Sequence, residues 1–256
     1  MTGLSSERER YGLEVVGILV NHIITFKLSS LLIIFMNKQN IKIKSENLLF
    51  QPWVGSQYGD DSIFKIPILI VGESNYAEED IRESLKPHET FTHRLIESII
   101  GATWKHRFFS NIQRTFVEKA DTEPLREEFW HSVAHHEYIQ DWLPKPGVSP
   151  DENMWLKAKP IFQDVISELK PKCILFVCKR VYDKVSPDFQ ASTPLVVDNS
   201  NPLTAKAYKN QYHPTLKIGD ALASWIYHPT SPNGGFQKPR GIARPLIQAS
   251  GGTPRI

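Results

Sequence analysis

The chain has 256 residues, of which 41% are hydrophobic and 23% charged, a balance that supports a folded core and excludes disorder over most of its length. Its net charge of +2 does not by itself mark a nucleic-acid binder, and its two cysteines exclude both a disulfide framework and a four-cysteine metal site. The charge is uneven: residues 171–256 carry eleven Lys/Arg against four Asp/Glu, a basic third that fits either a phosphate-bearing partner or a solvated face with a basic tail.

Residues 15–36, VVGILVNHIITFKLSSLLIIFM, are largely apolar, but Lys27 interrupts them. The longest uncharged piece is residues 15–26, shorter than the about 20 residues a spanning helix needs. No small-residue cleavage site follows, so a secretory signal is not expected. Residues 1–35 read as an extension from an upstream start codon, with a weak membrane anchor or a docked amphipathic helix as the alternatives. Residues 36–250 read as one domain and residues 251–256 as a disordered tail.

Within the domain, the continuous apolar run at residues 66–72 predicts a buried strand ending at glycine. Helical spacing follows at residues 78–85 and 90–100, and again at 154–169. Residues 132–139 fit either a strand or a helix. Residues 173–178, CILFVC, predict a strand covered on both faces. Cys173 and Cys178 then point to opposite faces and cannot pair, which suits a reducing cytoplasm. Short apolar runs at 194–197 and 221–227 complete the pattern. Alternating strands and helices predict an α/β fold with a mainly parallel sheet.

Ligands in such sheets bind at the carboxyl ends of the strands. Two polar, turn-rich loops occupy those places: Gly72-Glu-Ser-Asn-Tyr76 and His228-Pro-Thr-Ser-Pro-Asn-Gly-Gly-Phe236. With these residues in view, the chain resembles the uracil-DNA glycosylase superfamily. ILIVGESNY (68–76) is similar to that family's first motif, a strand leading into a glycine and a short polar loop. IYHPTSPNGGF (226–236) is similar to its His-Pro-Ser motif, with Thr230 in place of Ser. LKPKCILFVCKRVYDKV (169–185) looks like its penultimate strand and following helix, and PWVGSQY (52–58) like the lead-in of a bacterial branch.

The resemblance implies a three-layer αβα sandwich around a mainly parallel sheet of about four strands. It implies hydrolysis of the N-glycosidic bond of a flipped base, uracil or another deaminated or damaged base, in single- or double-stranded DNA. Glu73 would stabilise the sugar cation and position water, and His228 would stabilise the departing base. Gly72, Ser74, Asn75, Tyr76 and Glu137 would line the base pocket. Thr230, Ser231, Asn233, Gly234, Gly235 and Phe236 would meet the DNA, with the loop at 233–236 pressing into the minor groove and Lys238, Arg240 and Arg244 on phosphates. No metal or organic cofactor, no membrane partner for the core and a monomer are expected. Ser74 stands where the best-known branch has Asp, and Glu137 where a base-reading Asn is usual. An ionised Glu accepts but cannot donate, which argues against uracil as the natural substrate. The alternative is a catalytically weak protein of the same fold that binds nucleic acid or a nucleotide.

His131 and His135 have an i,i+4 spacing used by zinc sites, but no third ligand is evident. His213-Pro214 repeats the His-Pro pair without a preceding apolar strand and reads as a loop. Trp104, Phe108, Phe109 and Phe116 have near-helical spacing and read as core. Because every motif lies beyond Met36, a chain beginning there is expected to be soluble and to melt at the same temperature as the full chain. Aggregation or a much lower melting temperature would make residues 1–35 part of the fold.

Overall fold

A computed structural model of the chain describes residues 41–117 and 123–255, and the extension at 1–35 lies outside them. The strands are β1 (Trp53–Val54), β2 (Ile68–Gly72), β3 (Asn75–Tyr76), β4 (Val133–Glu137), β5 (Trp142–Leu143), β6 (Cys173–Phe176), β7 (Gln190–Ala191), β8 (Leu195–Val196), β9 (Tyr212–His213), β10 (Leu216–Ile218) and β11 (Ala221–Trp225). The helices are α1 (Glu79–Arg82), α2 (Phe91–Ile100), α3 (Arg107–Phe116), α4 (Glu123–His131), α5 (Glu152–Leu169), α6 (Lys179–Val185), α7 (Pro202–Ala207) and α8 (Gln237–Ala249).

Seven strands form one mixed sheet in the order β1-β4-β2-β6-β11-β10-β7. The parallel part is the four-strand core β4-β2-β6-β11, flanked by antiparallel β1 on one side and by β10 and β7 on the other. The sheet is therefore wider than the four strands expected, because two- and three-residue edge pieces too short to leave an apolar pattern join it. Every residue of β2, β4 and β6 is buried, as parallel strands covered on both faces require. The ambiguous run at 132–139 contains a strand, since Val133–Glu137 pairs with β2 and β1.

Strand alternation turns adjacent residues of β4 to opposite layers. His135 packs against Phe109 of α3 and Trp130 of α4, with ring centroids 5.7 and 6.1 Å away. His136 faces the other way and stacks on Phe162 of α5 at 6.3 Å. Helix α5 starts where Asp151 accepts the Met154 N–H at 2.8 Å and stops at Lys170, whose φ of 46° is left-handed. Its inner stripe is Trp155, Ala158, Ile161, Phe162, Val165 and Leu169. Each large apolar side chain buried there contributes about 2 kcal/mol.

Three expectations change. His213, read as a loop, lies in β9, buried, with its Nε2 2.8 Å from the Trp225 carbonyl oxygen. Residues 251–255, expected to be disordered, are tied down: the Thr253 N–H donates to the Phe64 carbonyl at 2.9 Å and Arg255 Nε to that of Ile63 at 3.2 Å. His131 ends α4 while His135 lies in β4, so their sequence spacing is not a helical one. Among the described residues no helix is long and apolar enough to cross a membrane.

Burial makes the fold sensitive to acid. It pushes the His136 imidazole down to about 3, with neighbouring His135 adding to the shift, and neither His136 ring nitrogen has a hydrogen-bond partner. Burial likewise pushes His213 down to about 4, against the opposing hydrogen bond to Trp225. Both stay neutral in the fold, whereas an unfolded histidine takes a proton near pH 6.5. Their contribution is therefore full above that pH and is lost as pH falls toward 4. Each is expected to cost about 2 kcal/mol of stability between pH 7 and pH 5. Urea unfolding at the two pH values checks this, and His136→Leu should remove one histidine's share of the difference.

Candidate functional site

The shared register of the parallel strands brings their carboxyl ends level. Gly72 lies opposite Glu137, Val71 opposite Phe176, and Phe176 opposite Trp225. The pairing runs on past the strands: the Ile139 N–H donates to the Glu73 carbonyl at 2.8 Å and the Ile226 N–H to that of Phe176, also at 2.8 Å. Residues 73, 137, 178–180 and 226–228 thus lie together at the carboxyl ends of the parallel strands.

Gly72 has no side chain because the Glu137 carboxylate occupies that space. A Cβ at 72 would stand 2.1 Å from Glu137 Oε2. Glu137 is 5% exposed, and its Oε1 accepts a hydrogen bond from Nε2 of the fully buried His135 at 3.0 Å. Residues 135 and 137 share a face of β4, so the strand itself supplies this partner.

Glu73, just beyond β2, is 8% exposed and receives both arms of a guanidinium. Arg180 Nε donates to its Oε1 at 2.6 Å and Nη2 to its Oε2, while Nη1 donates to Ser149 Oγ at 2.6 Å. The hydrogen bonds to Glu73 hold the Arg180 guanidinium above its ordinary value. Cys178 Sγ lies 3.6 Å from Glu73 Oε1. The Tyr76 phenol is raised mainly by burial, and the carboxylates of Glu73 and Glu137 add to the rise. Ser74 Oγ is buried beside the Tyr76 hydroxyl and opposes that rise, and Asn75 Nδ2 is buried without a hydrogen-bond partner.

His228 follows β11. Its Nδ1 accepts the Thr230 N–H at 3.3 Å and lies 3.0 Å from Thr230 Oγ1. A backbone N–H can only donate, so in the neutral ring the proton sits on Nε2. Burial lowers the imidazole below its ordinary value, against the pull of the Glu137 and Glu73 charges and with Arg180 opposing them. The Glu137 and Glu73 carboxylates and the Arg180 guanidinium therefore all lie close enough to act on His228. Phe108 packs on the His228 ring at 5.0 Å. Burial, then the charge of His228, lowers His106 as well.

The loop after His228 folds back on itself. Ser231 N–H donates to the His228 carbonyl at 2.8 Å and Gly235 N–H to that of Pro229 at 2.7 Å. Asn111 of α3 donates to the same Pro229 carbonyl at 2.8 Å. The two glycines are required here: a Cβ at 234 would stand 2.0 Å from the His228 oxygen, and Gly235 has a φ of +82°.

The residues expected to meet DNA divide into two groups. Thr230 and Asn233 are exposed on the loop and Ser231 is half-buried. Phe236 does not project; Arg114 covers its ring at 3.5 Å and Arg240 approaches it at 5.2 Å. Arg240 also donates to the carbonyls of Arg114 and Val117, closing the end of α3, and Lys238 donates to the Pro232 carbonyl. Hydrogen bonds from Ser200 hold Asp198 below its ordinary value, and the charge of Arg244 on α8 adds to that lowering. Exposed Lys105 and Arg107 flank His106 instead.

Sequence reasoning missed Arg180, His135 as the partner of Glu137, and the His106–Phe108 wall. Arg180 had a signal, since it follows a buried strand at the ligand-binding end of the sheet. The wall had none, because about 120 positions separate Phe108 from His228 and only folding joins them. His131 and His135 gain no third ligand: among the described residues no group of three metal-ligating side chains is assembled. A groove of about 790 Å³ lies at the opposite ends of the strands, lined by Lys172, Leu195, Lys217, Asp220 and Leu222 among others, and includes none of these site residues. Neither a family model nor a curated protein matches the sequence.

The glycine at the loop's crossing point gives a direct check. Gly234→Ala is expected to destabilise the chain by about 1–3 kcal/mol, the usual cost of forcing an extra methyl group into packed structure. Urea unfolding would show this, and the His228 ring resonances should shift with it.

Proposed function

We propose that this chain hydrolyses the N-glycosidic bond of a flipped base in DNA, using a fold like that of the uracil-DNA glycosylases. The observation that carries the reading is the His228 tautomer. With Nδ1 occupied by the Thr230 N–H, a neutral His228 has its N–H donor on Nε2, in a site shared with two buried carboxylates. A departing base carries negative charge on its oxygen, and a neutral N–H donor stabilises that charge without first giving up a proton. Parallel strands in the order β4-β2-β6-β11, with helices against both faces of β4, also agree with the three-layer architecture that the resemblance implies.

In this reading the base–sugar bond breaks with its electron pair leaving on the base. Positive charge grows on the sugar, where the Glu73 carboxylate opposes it and orients the attacking water; as the water oxygen bonds to the sugar carbon, the proton it loses ends on the departed base anion. Tyr76, Ser74 and Asn75 form the pocket wall around the extruded base. Glu137, fixed by His135, presents acceptors only, so it favours a base edge with N–H donors over the mixed edge of uracil. Lys105, Arg107 and the basic last third supply the salt-dependent attraction for phosphates.

One observation favours a second reading, a nucleotide- or nucleic-acid-binding protein of the same fold with little catalysis. The Glu73 charge is neutralised by Arg180, and Ser74 offers no second carboxylate. A fluorescent abasic-site assay on oligonucleotides carrying uracil, hypoxanthine, xanthine and common damaged bases separates the two. Under the glycosylase reading, Glu73→Gln and His228→Ala each lose about a hundredfold or more of the base-release rate while remaining folded. Glu137→Asn shifts preference toward uracil, because an amide both donates and accepts. Binding without release on every substrate supports the second reading.

A further inference from the structure

The Glu73–Arg180 pair is lopsided. The Glu73 side chain is 7% exposed, whereas that of Arg180 is 43% exposed. The carboxylate is enclosed at the strand end; the guanidinium covers it from the solvent side. Arg180 reaches Glu73 from α6 on a long side chain, and its third contact, Ser149 Oγ, is an uncharged hydroxyl. The neighbouring Lys179 is engaged elsewhere, with Asp183 at 2.6 Å, and does not share the carboxylate.

Resting on the glycosylase reading, we propose that Arg180 is a phosphate-operated latch on Glu73: a DNA phosphate draws the guanidinium away and frees the carboxylate. Guanidinium forks bind carboxylate and phosphate with the same bidentate geometry, so an arriving phosphate replaces one strong pairing with another. The enclosed Glu73 cannot follow the departing Arg180. It is left facing the site at the moment when a growing positive charge on the sugar can take the guanidinium's place. While Arg180 remains in place, the negative charge of Glu73 is already matched and does little to favour the transition state over the ground state. Arg180 is thus a positioning residue, and it couples exposure of the carboxylate to the arrival of nucleic acid. The free protein keeps a buried carboxylate paired, and the bound one uses it.

The test measures binding of a duplex with a central tetrahydrofuran abasic site over a series of KCl concentrations. Three proteins are compared: the wild type, Glu73→Gln, and the double variant Glu73→Gln with Arg180→Gln. The double variant avoids stranding a buried carboxylate, so loss of folding does not obscure the comparison. If the latch opens, Arg180 touches a phosphate in the first two proteins. Their log affinity then falls with log salt at equal slopes, while the double variant is flatter by about 0.9, one phosphate contact. Glu73→Gln should also bind more tightly than the wild type, because no ion pair has to be broken. A wild-type slope matching that of the double variant means that Arg180 stays on Glu73, and overturns the latch alone. Slopes as expected without release of any base overturn the glycosylase reading and leave the latch standing. Wild type that binds neither this duplex nor the single strand carrying the same abasic site overturns both.

Discussion

Four parallel strands share one register, and every feature of the candidate site depends on it. Gly72 opposite Glu137 and Phe176 opposite Trp225 make the carboxyl ends of β4, β2, β6 and β11 level. Slipping one strand by a single residue would turn its side chains to the opposite face and separate the acidic residues. The register is held because β2, β4 and β6 are buried throughout, so any slip would also pull apolar residues out of well-packed layers. The site follows from the same constraint that builds the core.

Burial of charge is the second organising fact. Glu73 and Glu137 are 8% and 5% exposed, and an isolated ionised carboxylate is strongly disfavoured in such surroundings. Each has a partner of a different kind. His135 is built into the same strand as Glu137, two residues away, fully buried and held between Phe109 and Trp130. Arg180 comes from another segment and stays half in solvent. The first partner is immobile and suits a group that reads a ligand's edge. The second can move, which suits a group whose charge is wanted at one stage only.

Helix α3 links the loop after β11 to the body. Asn111 holds the Pro229 carbonyl, Phe108 packs on the His228 ring, and Arg114 covers Phe236. Arg240 of α8 closes the other end by donating to carbonyls at the end of α3. The aromatic group around Phe108 therefore serves both the core, through Phe109 and Phe116, and the site. Substitutions on α3 should be read with both roles in mind.

Much of this was legible in the sequence. The runs at β2, β6 and β11 are continuous and apolar, so burial on both faces announced them, and the polar loops after β2 and β11 stood out against such strands. Glu73 and His228 could be singled out because each follows one of those runs, whereas Glu137, in the ambiguous run at 132–139, is reached only through the family resemblance. The short strands β1, β7 and β10 could not be read, because two or three residues carry no usable period and join the sheet only when a neighbour offers its edge. The fate of residues 251–255 was equally hidden, since a polar tail is ordered only by the carbonyls of Ile63 and Phe64 that folding brings to it. The sequence alone determined which residue types stand at the strand ends. Tertiary structure decided how they are partnered: that Arg180 rests on Glu73, that His135 holds Glu137, and that Thr230 sets the tautomer of His228. The first contact is made only once the helix carrying Arg180 has docked, the second needs residues 133–137 to be extended so that 135 and 137 share a face, and the third depends on how the loop after β11 folds back.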